Sequence, residues 1–177
     1  AGILSGITFR TIRSEDPAGH LSWQEISAAY RSGDDHSAPT GLICLENTHN
    51  FGGGSVMNAD RCRTICDNAQ ERDVPVHIDG ARIFNAAVAA GTDVAGLTRH
   101  ADSVQLCLSK GLGAPVGSVL VGSRSFINEA HLWRKRMGGG MRQAGIIAAA
   151  ALIALEESPK RLHEDHAKAH DLALGLS

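Results

Sequence analysis

The chain has 177 residues, of which 43% are hydrophobic and 20% are charged, and its formal net charge is -2. This composition is typical of a globular α/β protein and excludes a disordered chain. The nearly balanced charge leaves no electrostatic footprint for nucleic acid or a membrane surface, so we expect neither as a partner. The longest apolar run, at 144–155, is shorter than the roughly 20 residues that a membrane-spanning helix needs.

The elements can be predicted in chain order. Residues 1–13 are predicted to form a short strand with turns, and Ser22 with Glu25 forms a capping box that predicts a helix over about 23–32. Strands and helices alternate after it, with predicted strands at 41–45, 74–78, 103–108 and 117–122, and predicted helices at 59–72, 83–90, 125–136, 141–157 and 161–176. This alternation indicates an α/β fold with a largely parallel sheet covered by helices.

The chain contains four cysteines, and none of them forms a Cys-x-x-Cys pair. Cys62 and Cys66 are four residues apart in a helical pattern, whereas Cys44 and Cys107 lie in apolar, strand-like runs. This spacing favours neither a zinc site nor a secreted disulfide framework. We therefore expect reduced, mostly buried thiols, no bound metal and a cytoplasmic protein.

Polar clusters follow three of the predicted strands, at 46–50, 79–82 and 109–110. In an open α/β sheet, ligands bind beyond the carboxyl ends of the strands. We therefore expect the three clusters to line one cleft. Lys110 is then either a solvated surface lysine or a desolvated nucleophile, and the convergence of the strand ends favours the nucleophile.

Asp79 follows an apolar strand, so we expect its carboxylate to be partly desolvated and to need a cationic partner. Arg82 is the nearest candidate along the chain. The two residues either form a simple ion pair that caps the next helix or belong to a cofactor site. Together with Lys110 they match the constellation of pyridoxal phosphate enzymes, in which a lysine forms a Schiff base and an acid or arginine faces the pyridinium nitrogen.

Four motifs resemble those of the low-specificity L-threonine aldolases: ENTHN at 46–50, HIDGARIFNA at 77–86, SKGLGAP at 109–115 and GGGMRQ at 138–143. The resemblance implies an aspartate aminotransferase-like fold and a lyase that uses pyridoxal phosphate. Its small-molecule substrates would be L-threonine and L-allo-threonine, cleaved to glycine and acetaldehyde. Residues 1–177 would correspond to the central part of the large domain, without the N-terminal cofactor loop and the C-terminal small domain.

The resemblance also implies roles for the residues at the strand ends. Lys110 would carry the cofactor as a Schiff base, and Asp79 would pair with the pyridine nitrogen. Arg82 would lie beside the phenolic oxygen of the cofactor. All three would therefore be cofactor-binding residues, and Lys110 would also be catalytic.

Three residues outside the strand ends are implicated in the same way. His36 would be catalytic, because it lies ten residues before the glutamate of the first motif, where the family has a histidine near the substrate. Lys135 and Arg142 flank the triple glycine and would reach the cofactor phosphate of a neighbouring subunit. This arrangement implies a homodimer or a homotetramer.

Several alternatives stay open. His36, taken alone, is typical of a solvated loop histidine. His49 is expected to order its loop, and His77 to pack or to form a structural hydrogen bond. His163, His166 and His170 share one face of the last predicted helix, for which a solvated surface is favoured over a metal site. The alternative function is a catalytically inactive, truncated remnant that retains only fold or subunit contacts, and a lyase for another β-hydroxy amino acid is a third possibility.

Overall fold

A four-stranded sheet forms the centre of the computed structural model, which describes residues 2–176. The strands are β1 (Ile43–Glu46), β2 (Val76–Asp79), β3 (Ser103–Cys107) and β4 (Ser118–Gly122), and they lie in that order across the sheet. The first three strands are parallel, and β4 pairs with β3 in the antiparallel direction. The predicted α/β fold with a largely parallel sheet is therefore confirmed.

Helices fill the connections and the second half of the chain. They are α1 (Gly2–Ser5), α2 (Trp23–Ala29), α3 (Ala59–Gln70), α4 (Ile83–Ala90), α5 (Val94–Thr98), α6 (Arg124–Arg136), α7 (Gly145–Glu157) and α8 (Leu162–Leu176), with a 3-10 turn (Ser158–Arg161) before α8. The strand predicted over 1–13 is wrong. A short helix at Gly2–Ser5 stands there instead, and it is followed by Gly6, whose φ of 62° is readily adopted only by glycine.

Side-chain caps fix the starts of four helices, namely α2, α3, α5 and α6. The predicted capping box is present, because Ser22 Oγ accepts from the Glu25 amide at 3.3 Å and Glu25 Oε2 accepts from the Ser22 amide at 2.6 Å. Asn58 caps α3 in the same manner through the amide of the third helical residue. Asp93 caps α5, a helix that was not predicted, by accepting from the Gly96 amide at 2.6 Å.

The two faces of the sheet differ in character. Alternate residues of β1 and β2 are buried against α3 and form the main core: Ile43, Leu45, Val76 and Ile78 from the strands, and Cys62, Ile65, Cys66 and Ala69 from the helix. Because successive side chains of a strand point to opposite faces, the other face carries the polar residues of the same strands: Cys44, Glu46, His77 and Asp79. The predicted site lies on this polar face, at the carboxyl ends of β1 and β2.

All four cysteines are free, as predicted, but only Cys62 and Cys66 are buried. Cys44 is exposed and Cys107 is half-buried. Among residues 2–176, no group of three or more histidine, cysteine or acidic side chains is arranged to hold a metal ion. Within the same residues, no helix combines the length and the apolar character needed to cross a membrane.

Candidate functional site

Backbone hydrogen bonds tie the carboxyl ends of the first three strands together. Glu46 and Asp79 are register partners in β1 and β2. The Asn47 amide donates to the Asp79 carbonyl at 2.9 Å, and the Gly80 amide donates to the Gln105 carbonyl of β3 at 2.7 Å. A Cβ at position 80 would lie only 2.9 Å from that same carbonyl oxygen, so the close approach requires glycine.

The carboxylate of Asp79 is exposed, which contradicts the expected desolvation. Its Oδ1 accepts from the Ala81 amide at 3.1 Å, and Oδ2 has no hydrogen-bond partner within 2–176. Arg82 does not pair with it. The Arg82 guanidinium donates to Asn50 Oδ1 at 3.2 Å, because Arg82 stands at the start of α4 and reaches across to the loop that follows β1. The interpretation of Asp79 and Arg82 as a simple ion pair is therefore wrong.

A cleft of about 410 Å³, here named the β1–β2 cleft, lies over the polar face at Asp79. Glu46, His49 and Asp79 provide its polar side, while Ile12, Leu21 and Met57 provide apolar walls. Cys44 also lines it. Partial burial of the Cys44 thiol raises its pKa, and the negative charge of Asp79 raises that pKa further. The cleft therefore keeps Cys44 in its protonated form.

His49 orders the loop beside this cleft, as predicted. Its Nδ1 accepts from the Gly52 amide at 3.0 Å, and its own amide donates to the Ser55 carbonyl at 2.9 Å. Because Nδ1 is an acceptor, the neutral imidazole carries its proton on Nε2, which lies 3.7 Å from Glu46 Oε2. The ring thus presents an N–H to the carboxylate at the end of β1.

Lys110 lies in an exposed turn after β3, so the expected desolvation of its amine is not found. The turn is closed by a hydrogen bond from the Gly113 amide to the Lys110 carbonyl at 2.9 Å, with Gly113 at a φ of 78°. Lys110 opens onto a second cleft of about 500 Å³, here named the α8 cleft. Charged side chains surround that cleft: Glu157, Arg161, Glu164, Asp165 and Lys168.

The expectation of a single cleft at the strand ends is therefore wrong. The clusters after β1 and β2 adjoin each other, but the segment after β3 turns away towards α7 and α8. Ser158 Oγ donates to the Leu112 carbonyl at 2.6 Å, and Leu108 and Leu112 pack in one cluster with Leu162 of α8. This packing directs Lys110 to the α8 cleft and not to the β1–β2 cleft.

The remaining predicted site residues are exposed. His36 lies in the loop before β1, where its amide donates to Asp34 Oδ1 at 2.7 Å, and it lines neither cleft. Lys135 lies in the last turn of α6 and Arg142 in the segment after it. A Cβ at Gly140 would lie 2.7 Å from Lys135 Cδ, so this glycine lets the lysine stem pack on the backbone.

His77 forms the structural contact that was predicted for it, since Nδ1 lies 2.8 Å from Ser103 Oγ on the neighbouring strand. Burial lowers the pKa of His77, although the Asp79 charge opposes the shift. The predicted solvated face of α8 holds for His163 and His170. His166 is half-buried, and its Nε2 lies 3.1 Å from Asn85 Nδ2 of α4.

The burial of polar residues near the β1–β2 cleft, among them Asn47 and His20, was not predicted. Asn47 is buried and binds both the amide and the carbonyl of Met57, at 3.1 and 3.0 Å. His20 is buried against His49. The sequence offers a signal for Asn47, which directly follows a strand, but none for His20, whose burial depends on how a loop folds back.

Comparisons of the sequence with a family model and with curated proteins point to the same family. The beta-eliminating lyase family model matches residues 1–177. The chain is 48% identical to low-specificity L-threonine aldolase 1 of Arabidopsis thaliana, over 98% of this chain and 49% of that protein. It is also 48% identical to the low specificity L-threonine aldolase of Escherichia coli O157:H7, over 84% of this chain and 44% of that protein. The chain thus spans about half the length of the curated relatives it matches.

Solved structures share the fold. The threonine aldolase of Leishmania major has a TM-score of 0.65 and 18% identity, over 80% of this chain and 42% of that one. The PLP-bound C-S lyase of Staphylococcus hominis has a TM-score of 0.58 and 14% identity, over 86% of this chain and 38% of that one. At these identities the likeness concerns the fold alone. With the family match it confirms the resemblance drawn from the four motifs, and the chain belongs to the beta-eliminating lyase family.

Proposed function

We propose that this chain carries the central part of a pyridoxal phosphate site that cleaves L-threonine and L-allo-threonine to glycine and acetaldehyde. The observation that carries the proposal is the set of side chains at the ends of neighbouring strands. Asp79 at the end of β2 and Lys110 in the turn after β3 follow the carboxyl ends of two neighbouring parallel strands. Relatives named threonine aldolase, 48% identical to this chain, support the same activity.

The side chains present fit this cofactor by their chemistry. Asp79 keeps an unpartnered carboxylate oxygen within 2–176, and the exposed Lys110 amine forms no ion pair there. Arg82 is half-buried and has one side-chain hydrogen bond, to Asn50. Carboxylate, amine and guanidinium are the groups that such a cofactor needs.

When bound, pyridoxal phosphate supplies an electron sink for the bond that breaks at the substrate Cα. Asp79 would hold a proton on the pyridine nitrogen, which its negative charge stabilises. Lys110 would anchor the cofactor through its amine, and Arg82 would donate to the phenolic oxygen. These side chains would fix the ring in position, which is the entropic part of the rate enhancement.

His36 would take the proton of the substrate β-hydroxyl, since a neutral imidazole can act as a general base. Lys135 and Arg142 would bind the cofactor phosphate of a neighbouring subunit in a homodimer or homotetramer. Their exposure supports the proposal, because a residue that acts on a neighbouring subunit must lie at the surface of its own chain.

A second candidate is an inactive remnant that keeps only the fold or subunit contacts. One observation favours it, because Asp79 lies in a different cleft from Lys110. A lyase for another β-hydroxy amino acid would need the same groups and would differ only in the substrate that it accepts.

The test is to add pyridoxal phosphate to the chain and record the visible absorbance of lysine-bound cofactor, followed by an assay for glycine release from L-allo-threonine. Lys110→Ala should abolish the absorbance. Lys168→Ala is the matched control, because Lys168 lines the same α8 cleft and should leave the absorbance intact. If wild type shows neither absorbance nor glycine release, catalysis by this chain is ruled out and the remnant is supported.

A further inference from the structure

Residues 14–21, here named the strap, cross the β1–β2 cleft. Gly19 and Leu21 line the cleft from the strap. Arg61 of α3 holds the strap from outside through an ion pair to Asp16 at 2.6 Å. Ser55 Oγ donates to the Ala18 carbonyl at 2.5 Å. These contacts come from elements distant in sequence, so the strap is a separate layer laid over the cleft.

The strap packs tightly on the loop that follows β1. Gly19 has a φ of 81°, and a Cβ at this position would collide with the His49 ring. A Cβ at Gly52 would likewise collide with the Ala18 carbonyl. Glycine is therefore needed on both sides of the contact.

His20 is the unusual residue of the strap. It is only 5% exposed, yet neither Nδ1 nor Nε2 has a hydrogen-bond partner within 2–176. Its ring meets the His49 ring edge-to-face, with 6.1 Å between the centroids. Buried polar groups without a partner are rare and costly, and the cost rises steeply if the group becomes charged. The closed strap therefore accepts only a neutral His20.

The charged or titratable groups that face His20 are Asp16 on the strap, Arg61 on α3 and His49 in the loop. Burial is the main cause that lowers the pKa of His20, and Arg61 and His49 act in the same direction. Asp16 opposes them, but its carboxylate is already bonded to Arg61. Within 2–176, neither ring nitrogen of His20 has a hydrogen-bond partner, so an added proton would lack an acceptor in the closed strap.

We propose that the strap is a proton-sensitive latch, in which protonation of His20 releases the strap and opens the β1–β2 cleft. The proposal does not depend on the cofactor. The sign follows from linkage: the released imidazole has an ordinary pKa near about 6.5, so it binds the proton more readily than the closed form does. The closed strap should therefore keep its full stability above that pH and lose stability relative to the open form as the pH falls below it.

Hydrogen exchange measured by mass spectrometry tests the latch directly. The amides of Glu15, Asp16, Ala18 and Gly19 are all hydrogen-bonded in the closed strap. After correction for intrinsic rates, their exchange should be about tenfold faster at about pH 5.5 than at about pH 8, since a released imidazole is then mostly protonated. Asp16 and Glu25 have lowered pKa values and stay ionised throughout this range.

His20→Leu removes the titrating ring without leaving an unpaired polar atom, and it should abolish the acceleration. His170→Leu, at an exposed histidine of α8, should retain it. Gly19→Ala should give fast exchange at both pH values, because its methyl group displaces the strap from His49. Amides of α3 should stay protected in every variant, which shows that the protein remains folded.

Three results would overturn the latch. If His20→Leu keeps the acceleration and His49→Gln loses it, the proton acts on the other histidine of the pair. If Gly19→Ala stays protected at both pH values, the contact with His49 does not hold the strap. If the wild-type α3 amides lose protection together with the strap as the pH falls, the change is unfolding and not opening of the cleft.

Discussion

Helices α3 and α7 are nearly equal in length, with 12 and 13 residues, yet they are buried to very different extents. Helix α3 is amphipathic and presses four buried side chains against β1 and β2. Helix α7 is more hydrophobic in sequence but buries only two alanines. Its large residues stay in solvent, with Ile146 89% exposed and Ile153 63% exposed.

The difference shows that an apolar helix is buried only where another element offers it an apolar face. Ile65 of α3 is covered because the sheet offers it a flat apolar face, whereas the described residues provide no such face for Ile146 and Ile153. The same contrast applies to the proposed site. Asp79 is fixed by the register of β1, β2 and β3, while Lys135 and Arg142 stand on the sparsely packed region 116–176.

The largest expected effect compares one isoleucine from each helix. Ile65→Ala should lower the free energy of unfolding by about 3–4 kcal/mol, because it leaves a cavity in the packed core. Ile153→Ala makes the same chemical change at an exposed position and should change it by less than about 0.5 kcal/mol. Urea denaturation of the two variants checks the difference. Equal losses would mean that α7 is packed against something in solution.

Much of the well-packed region that contains α3, β1 and β2 was predictable from local chemistry. The capping box at Ser22 and the cap at Asn58 act within three residues, so their signals lie in the sequence itself. The position of Asp79 at a strand end also followed from the pattern. The antiparallel direction of β4 was missed although its signal was present, because the short connection 108–117 allows only an antiparallel neighbour.

Contacts between distant loops could not be predicted. Arg82 binds Asn50, 32 residues away, and not the nearby Asp79. His20 meets His49 only because the strap folds back over the sheet. Lys110 faces the α8 cleft because Leu112 and Ser158 join its turn to the end of α7. In each case the partner is chosen by tertiary packing, on which spacing along the chain carries no information.

The next effect concerns the buried side chain that clamps the loop after β1. Asn47→Ala should lower the free energy of unfolding by about 2 kcal/mol, because it leaves the buried amide and carbonyl of Met57 unpaired. Asn128→Ala, at an exposed position of α6, should change it by less than about 0.5 kcal/mol. Thermal or urea unfolding separates the two. A loss as large at Asn128 would contradict the contrast between the regions.

A smaller effect is the pH dependence contributed by His77. Burial lowers its pKa in the folded protein, so the unfolded chain, with an ordinary pKa of about 6.5, binds the proton more readily. The free energy of unfolding should therefore be retained above about pH 6.5 and fall as the pH drops below it. His77→Gln should flatten part of this decline, and His163→Gln on the exposed face of α8 serves as the control. An unchanged decline in His77→Gln would assign it to other groups.

The smallest effect compares two ion pairs by double-mutant cycles. Asp16 and Arg61 join the strap to α3, and their side chains are 30% and 37% exposed. Arg161 and Glu164 are three residues apart, and their side chains are 70% and 39% exposed. Exposed pairs within a helix couple weakly and are screened by salt. The coupling between Asp16 and Arg61 should thus be the larger and the less sensitive to salt. If the coupling between Asp16 and Arg61 is as small and as sensitive to salt as that between Arg161 and Glu164, the strap is open to solvent for most of the time. That result would remove the structural basis for treating the strap as a closed layer.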